Sequence, residues 1–336
     1  MKKRNLTIFD AGIAFVLAFV LAQFTSAIGV SITKFIMQAI GKTNEQISIF
    51  FDTAWGYLLQ ALFMNIAFVL VFIWYRRHIN KHELLAKPNS NTAKYILKAV
   101  IIGVVSMFLL SGVLNYFQSL VDKLGFTSSS LPYQLNSPKN YIISLISLAV
   151  IPAVCEELIF RGVLVNALKG KGYTFAIIFS SIMFSIFHFS PSQLIYPICF
   201  GLILSIVYLR TNNIFVPMLL HFINNALSLS IQYFSNGSAE AFTHSASMLI
   251  YAIITLLIWV VIMVYMFKDF KAHTSSQASN SNNDTQSTNS QLSSETSTDA
   301  SSAQNTVTTR NQKLNNWVFY GSLAIMICVY ILLLSV

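Results

Sequence analysis

Apolar runs recur near 11–32, 54–75, 95–118, 141–168, 174–189, 194–209, 214–234, 247–267 and 316–336 of this 336-residue chain. A helix needs about 20 apolar residues to cross a bilayer, and most of these runs are close to that length. The runs are continuous, whereas strands of a membrane barrel alternate apolar and polar residues. Helices satisfy their own backbone polar groups, as hydrocarbon demands. The prediction is therefore all-α: a polytopic membrane helical bundle of about eight helices plus a tethered ninth. Composition agrees, with 55% hydrophobic and 10% charged residues, against roughly 25% charged in a soluble domain.

The formal net charge of +9 forms no basic face or stripe of the kind that binds nucleic acid. Lys and Arg fall in the breaks between runs, densely at Arg76, Arg77, Lys81, Lys87 and Lys94. Alternate breaks hold most of them, on the side that includes Lys2, Lys3 and Arg4. Positive-inside bias then places the N-terminus in the cytoplasm of a multi-pass cell-membrane protein. The first apolar stretch exceeds the ~7–15 residues of a signal-peptide core, so it reads as a retained helix. Cys155, Cys199 and Cys328 lie in separate apolar runs and give no disulfide framework.

The chain divides into three N-terminal membrane helices (1–140), a core (141–234), an eighth helix (235–273), a linker (274–312) and a last helix (313–336). The linker is rich in Ser, Thr, Asn and Gln. Such a composition buries too little apolar surface to fold and predicts a disordered cytoplasmic segment. That would tether the ninth helix loosely, as an accessory to the rest. Runs 174–189 and 194–209 are short for a bilayer, and the turn "FSPSQ" between them carries no charge. They read as a hairpin whose tip can stay at membrane depth.

Ionisable groups inside membrane helices are costly and usually functional. Five polar or ionisable side chains stand out, with Arg161: Glu156 and Glu157 in "AVIPAVCEELIFRG" (149–162), His188, and His221 with Asn225. Glu157 and Arg161 are i and i+4, so they share a helix face and can pair. Glu156 is turned about 100° away, which leaves it as the reactive carboxylate for general acid or base work. His221 and Asn225 make another i, i+4 polar stripe. Pro152 and Pro217 each precede a key polar residue by four positions and loosen the local hydrogen-bond ladder. Taken singly, these features also suit a structural ion pair or interhelical hydrogen bonds. Together they suggest a converging site, in an intramembrane hydrolase or a proton-coupled transporter. Measured along straight helices, Glu156 lies ~22 Å from Tyr141 and His188 ~21 Å from Thr174, and those lengths do not bring the two level.

Three motifs then follow in order on apolar runs: Glu-Glu-x-x-x-Arg in "EELIFR", Phe-x-x-x-His in "FSIFH" and His-x-x-x-Asn in "HFINN". This set resembles the CAAX-protease and bacteriocin-processing (CPBP, or Abi) family of intramembrane endopeptidases, over roughly 141–234. The resemblance implies that Glu156 activates water and that Glu157 and Arg161 form the supporting pair. It implies that His188 orients the water or stabilises the oxyanion, with His221 and Asn225 completing the site and Asn225 an oxyanion donor. The family has been described as both metal-dependent and glutamate-type, so zinc is a possible cofactor and none is certain. The expected partners are the lipid bilayer and membrane-bound protein or peptide substrates, cut near the cytoplasmic leaflet. CAAX-type processing, bacteriocin or pheromone maturation and self-immunity all fit. The alternative is a non-proteolytic membrane scaffold, immunity factor or regulator. The symmetric halves expected of a transporter are not evident.

Overall fold

The computed structural model of the chain describes residues 5–79, 92–126, 131, 133–188, 190–235, 246–289, 316–324 and 326–328. Its helices are α1 (Ile8–Ala39), α2 (Asn44–Phe51), α3 (Ala54–His78), α4 (Thr92–Lys123), α5 (Pro138–Lys171), α6 (Tyr173–Ile186), α7 (Ile195–Thr211), α8 (Phe215–Phe234), α9 (Ala246–Asn289) and α10 (Asn316–Cys328). Among the described residues, six apolar segments are long enough to cross a membrane: Ile8–Ala39, Ala54–His78, Tyr95–Lys123, Pro138–Lys171, Pro191–Thr211 and Leu249–Ser275. The fold is the all-α polytopic bundle predicted, with a helix in the described part of every apolar run. The short α2 is an addition, in what reads as a polar break.

Local chemistry fixes the helix starts. Thr7 and Asp10 form a reciprocal cap on α1, the Thr7 N–H donating to Asp10 Oδ2 at 2.8 Å. Thr53 accepts from the Gly56 N–H at the start of α3. Ser137 caps α5 just before Pro138, where a missing N–H costs nothing. α1 and α3 are tied deep in the bundle by Tyr75, whose hydroxyl donates to the Asp10 carbonyl at 2.9 Å.

α5 is one continuous rod with two irregular stretches. Its α-helical turns give way to π-helix at Leu145–Val150 and again at Phe160–Val165. Between them lies the α-helical Ile151–Ile159, which carries both glutamates. π turns shift the register of every side chain that follows and are frequent at functional sites.

The hairpin of α6 and α7 is submerged. α6 has 14 residues, about 21 Å of rise against a hydrocarbon core of about 30 Å. At its end the Phe187 ring packs on Phe15, Phe19, Phe68 and Phe160, with centroids 6.3, 6.0, 5.1 and 5.8 Å away. All four partners lie two turns or more inside the ends of long helices, which sets the tip inside the bundle.

Two expectations at the C-terminal end change. α9 stays helical through Asn289, across the first part of the stretch read as a disordered linker. Once nucleated in the membrane, a helix gains one bond per added residue. Thr274 and Ser275 also bond back to carbonyls one turn earlier. The remainder of the 274–312 linker lies outside the described residues. The last helix is packed rather than loose: Phe319 and Met326 are buried in the main core. Phe319 meets Phe175 and Phe179 at 6.0 and 5.9 Å. Gly12 on α1 leaves it room, since a Cβ there would stand 3.1 Å from the Phe319 Cα.

Candidate active site

Glu157 and Arg161 are both completely buried. Arg161 Nη1 donates to Glu157 Oε1 at 2.7 Å, and Nη2 donates to the Gly201 carbonyl on α7 at 3.3 Å. The guanidinium lies 4.8 Å from the Phe184 ring centroid. At the same residue α7 packs closely on α6 because Gly201 has no side chain; a Cβ would meet Ser181 on α6 at 3.0 Å. His221 Nδ1 reaches the same Glu157 oxygen at 2.9 Å. A carboxylate beside Arg161 only accepts, so Nδ1 carries a proton, and in the neutral ring His221 Nε2 is then the acceptor.

Glu156 takes no part in that pair. It lines a cavity of about 620 Å³ together with His188 and His221, walled by α4, α5, the α6–α7 hairpin and α8. Its Oε2 stands 4.0 Å from His221 Nε2. His188 Nδ1 donates to the Phe184 carbonyl at 2.9 Å. That acceptor is available because the His188 N–H turns instead to Ser185. His188 Nε2 is thereby left as an acceptor as well. A carboxylate and two imidazoles thus border one chamber with acceptor atoms, an arrangement suited to holding and orienting water.

Asn225 is fixed from two sides. Pro152 has no N–H to offer the Leu148 carbonyl one turn earlier. Asn225 Nδ2 supplies that bond at 3.0 Å. Its Oδ1 accepts from Asn224 Nδ2 at 3.1 Å, and the Tyr196 hydroxyl donates to Asn224 Oδ1. One Asn225 N–H is left over, on a side chain that lines the cavity. The second π stretch has a matching device. Asn166 Nδ2 caps the carbonyls of Arg161 and Gly162 at 3.1 and 3.0 Å and reaches the Tyr208 hydroxyl.

The structure therefore brings all six sequence-predicted residues together: Glu156, His188, His221 and Asn225 at the cavity, Glu157 and Arg161 behind it. The sequence reading gave no role to Phe184, Tyr196, Asn224 or Asn166. Phe184 was visible as the first residue of its motif, and its ring meets those of His188 and His221 edge-on at 5.1 and 5.7 Å. Among the described residues, no three His, Cys, Asp or Glu side chains are grouped to hold a metal ion. As they stand, Glu156, His188 and His221 are not grouped closely enough to hold a zinc ion together.

The cavity lining continues along α4 to Gln118 and along α8 to Ser228, toward the ends of those helices at Lys123 and Phe234. Counting crossings from α1, both ends lie at the face of the bundle opposite the N-terminus.

Residues 138–227 match the family model described as Type II CAAX prenyl endopeptidase Rce1-like. The chain is 22% identical over 218 residues to a Bacillus subtilis (strain 168) protein named "Putative membrane peptidase YdiL", covering 65% of this chain and 87% of the relative. No solved structure matches the chain. The matched segment begins at the first residue of α5 and ends two residues beyond Asn225, so it contains the whole candidate site. Over the segment that holds the candidate site, the chain is thus similar to type II CAAX prenyl endopeptidases.

Proposed function

We propose that this protein is an intramembrane endopeptidase in which Glu156 activates water. The observation that carries the reading is the unequal environment of two adjacent carboxylates. Glu157 is dry and neutralised, while Glu156 opens on a chamber bordered by imidazole nitrogens. In the proposed reaction Glu156 takes a proton from water as the water oxygen attacks the scissile carbonyl. The oxyanion that forms accepts from the remaining Asn225 N–H. One such donor in a water-excluded site is worth about 3–4 kcal/mol. Collapse breaks the C–N bond, and the proton held by Glu156 goes to the leaving amine. His188 and His221 orient the water through Nε2. The Glu157–Arg161 pair holds His221 in its tautomer and position.

The substrate class is a membrane-associated protein or peptide precursor. With the N-terminus in the cytoplasm, as the basic breaks imply, the polar lining leads to the outer face. Substrate would then approach from outside rather than near the cytoplasmic leaflet. Peptide mapping of membranes from cells carrying wild-type or Glu156→Ala protein tests this directly. Cleavage products present only with the wild type are expected. Identical maps, with both proteins inserted equally, would favour a non-proteolytic scaffold.

A further inference from the structure

The cavity has a wall that the proposed chemistry does not use. α4 is an apolar membrane helix, yet Ser111, Asn115 and Gln118 line the chamber opposite Glu156. Their i, i+4, i+7 spacing puts them on one face. Gln118 Nε2 donates to Asp122 at 2.6 Å, which leaves its carbonyl oxygen to accept. Ser111 bonds its own helix at the Phe108 carbonyl and keeps acceptor capacity. Asn115 is exposed to the chamber and offers both a donor and an acceptor.

We infer that Ser111, Asn115 and Gln118 form a substrate-binding wall that hydrogen-bonds the main chain of an extended, uncharged stretch of polypeptide. The inference rests on the hydrolytic reading of the opposite wall. A peptide bond inside a helix has its N–H and C=O already engaged, and a carbonyl open to attack must leave that ladder. At membrane depth each released group left without a partner costs several kcal/mol. Side-chain amides match both kinds of main-chain group and offset that cost. Ser111 to Gln118 spans about 10 Å of helix, the length of roughly three residues of extended chain. Of the Asp, Glu, Lys and Arg residues, Glu156 is the one that borders the chamber among the described residues. A charged substrate segment finds no opposite partner beyond it, so the segment received is neutral.

The test uses full-length protein in lipid nanodiscs, with a photoreactive benzoyl-phenylalanine placed at Asn115 or, as control, at the exposed Leu97 of the same helix. The probes are biotinylated ten-residue peptides, one pool neutral and one carrying a central Asp. Crosslinking to the neutral pool from position 115, at least tenfold above position 97 and above the acidic pool, is expected. Equal crosslinking at the two positions would overturn the inference. In the otherwise wild-type protein, Asn115→Leu and Gln118→Leu should raise KM for a cleaved neutral peptide about tenfold and leave kcat within twofold. Unchanged KM would also overturn it. Leucine is favoured in a membrane helix, so these variants should insert normally. Crosslinking without Glu156-dependent cleavage would keep the wall and remove the protease reading; cleavage without crosslinking would do the reverse.

Discussion

α5 and α8 are shared by two cavities of similar size and opposite chemistry. One, of about 620 Å³, meets α5 at Leu148, Pro152 and Glu156. The other, of about 740 Å³, meets it at Val150, Val154 and Leu158, with Ala153 beside them. Each set is an i, i+4, i+8 stripe, and the two are offset by two residues, or about 200° around the helix. α8 repeats the division. His221, Asn225 and Ser228 face the first cavity, and Phe215, Met218, Leu219 and Phe222 face the second. Volume therefore does not mark the site. A bilayer supplies acyl chains that suit a largely apolar groove, polar only at Arg76 and Asn213, whereas a carboxylate and two imidazoles need a reason to be there.

The sharpest way to break this comparison is to fill each space in turn. Leu148→Trp should abolish cleavage of a peptide substrate, because it obstructs the Glu156 chamber. Val154→Trp, on the stripe that faces the second cavity and 42% exposed, should leave the rate within about twofold. Equal effects in the same assay would dissolve the distinction.

Next in size is the ion pair behind the chamber. Arg161→Ala leaves the buried Glu157 carboxylate without its cation, a loss of about 3–5 kcal/mol for a pair of this kind. Thermal unfolding in detergent should show a large drop in Tm, and Glu157→Gln in the same chain should recover part of it. A smaller loss, about 1–3 kcal/mol, is expected for Asn166→Leu, which strips the cap from the second π stretch. An unchanged Tm would mean that those carbonyls find other partners. Least costly is Tyr196→Phe, which removes one donor to Asn224 and loosens Asn225. A single hydrogen bond is worth about 0.5–1.5 kcal/mol, so kcat should fall up to roughly tenfold with KM unchanged. A KM effect alone would assign Tyr196 to substrate binding instead.

The membrane helices and the Glu157–Arg161 pair were legible in the sequence, whereas the short α2 was not. Apolar run length gives the spans, and the i, i+4 rule pairs Glu157 with Arg161. Level was not legible. Straight-helix lengths leave Glu156 and His188 at different depths. The fold meets this with a hairpin whose tip packs on Phe15, Phe19, Phe68 and Phe160, and with a π stretch at Leu145–Val150 that resets the register of α5 before Glu156. The supporting amides were hidden for a related reason. Asn225 holds the Leu148 carbonyl because Pro152 cannot, and Asn166 serves carbonyls in a π stretch that no pattern announces. The proline was visible, but its unpartnered carbonyl had no address until α8 was in place. Composition also misplaced the last helix: the linker's polarity says nothing about Gly12, which opens the groove where Phe319 packs.

The central claim is that adjacent carboxylates divide chemistry from structure. It is tested most directly by measuring peptide cleavage and thermal unfolding on Glu156→Gln and Glu157→Gln proteins prepared identically. The account predicts that Glu156→Gln unfolds like the wild type and cleaves nothing. Glu157→Gln, with Arg161 left unpaired, should unfold at a clearly lower temperature. A Glu156→Gln protein that still cleaves, or one destabilised as much as Glu157→Gln, would contradict it.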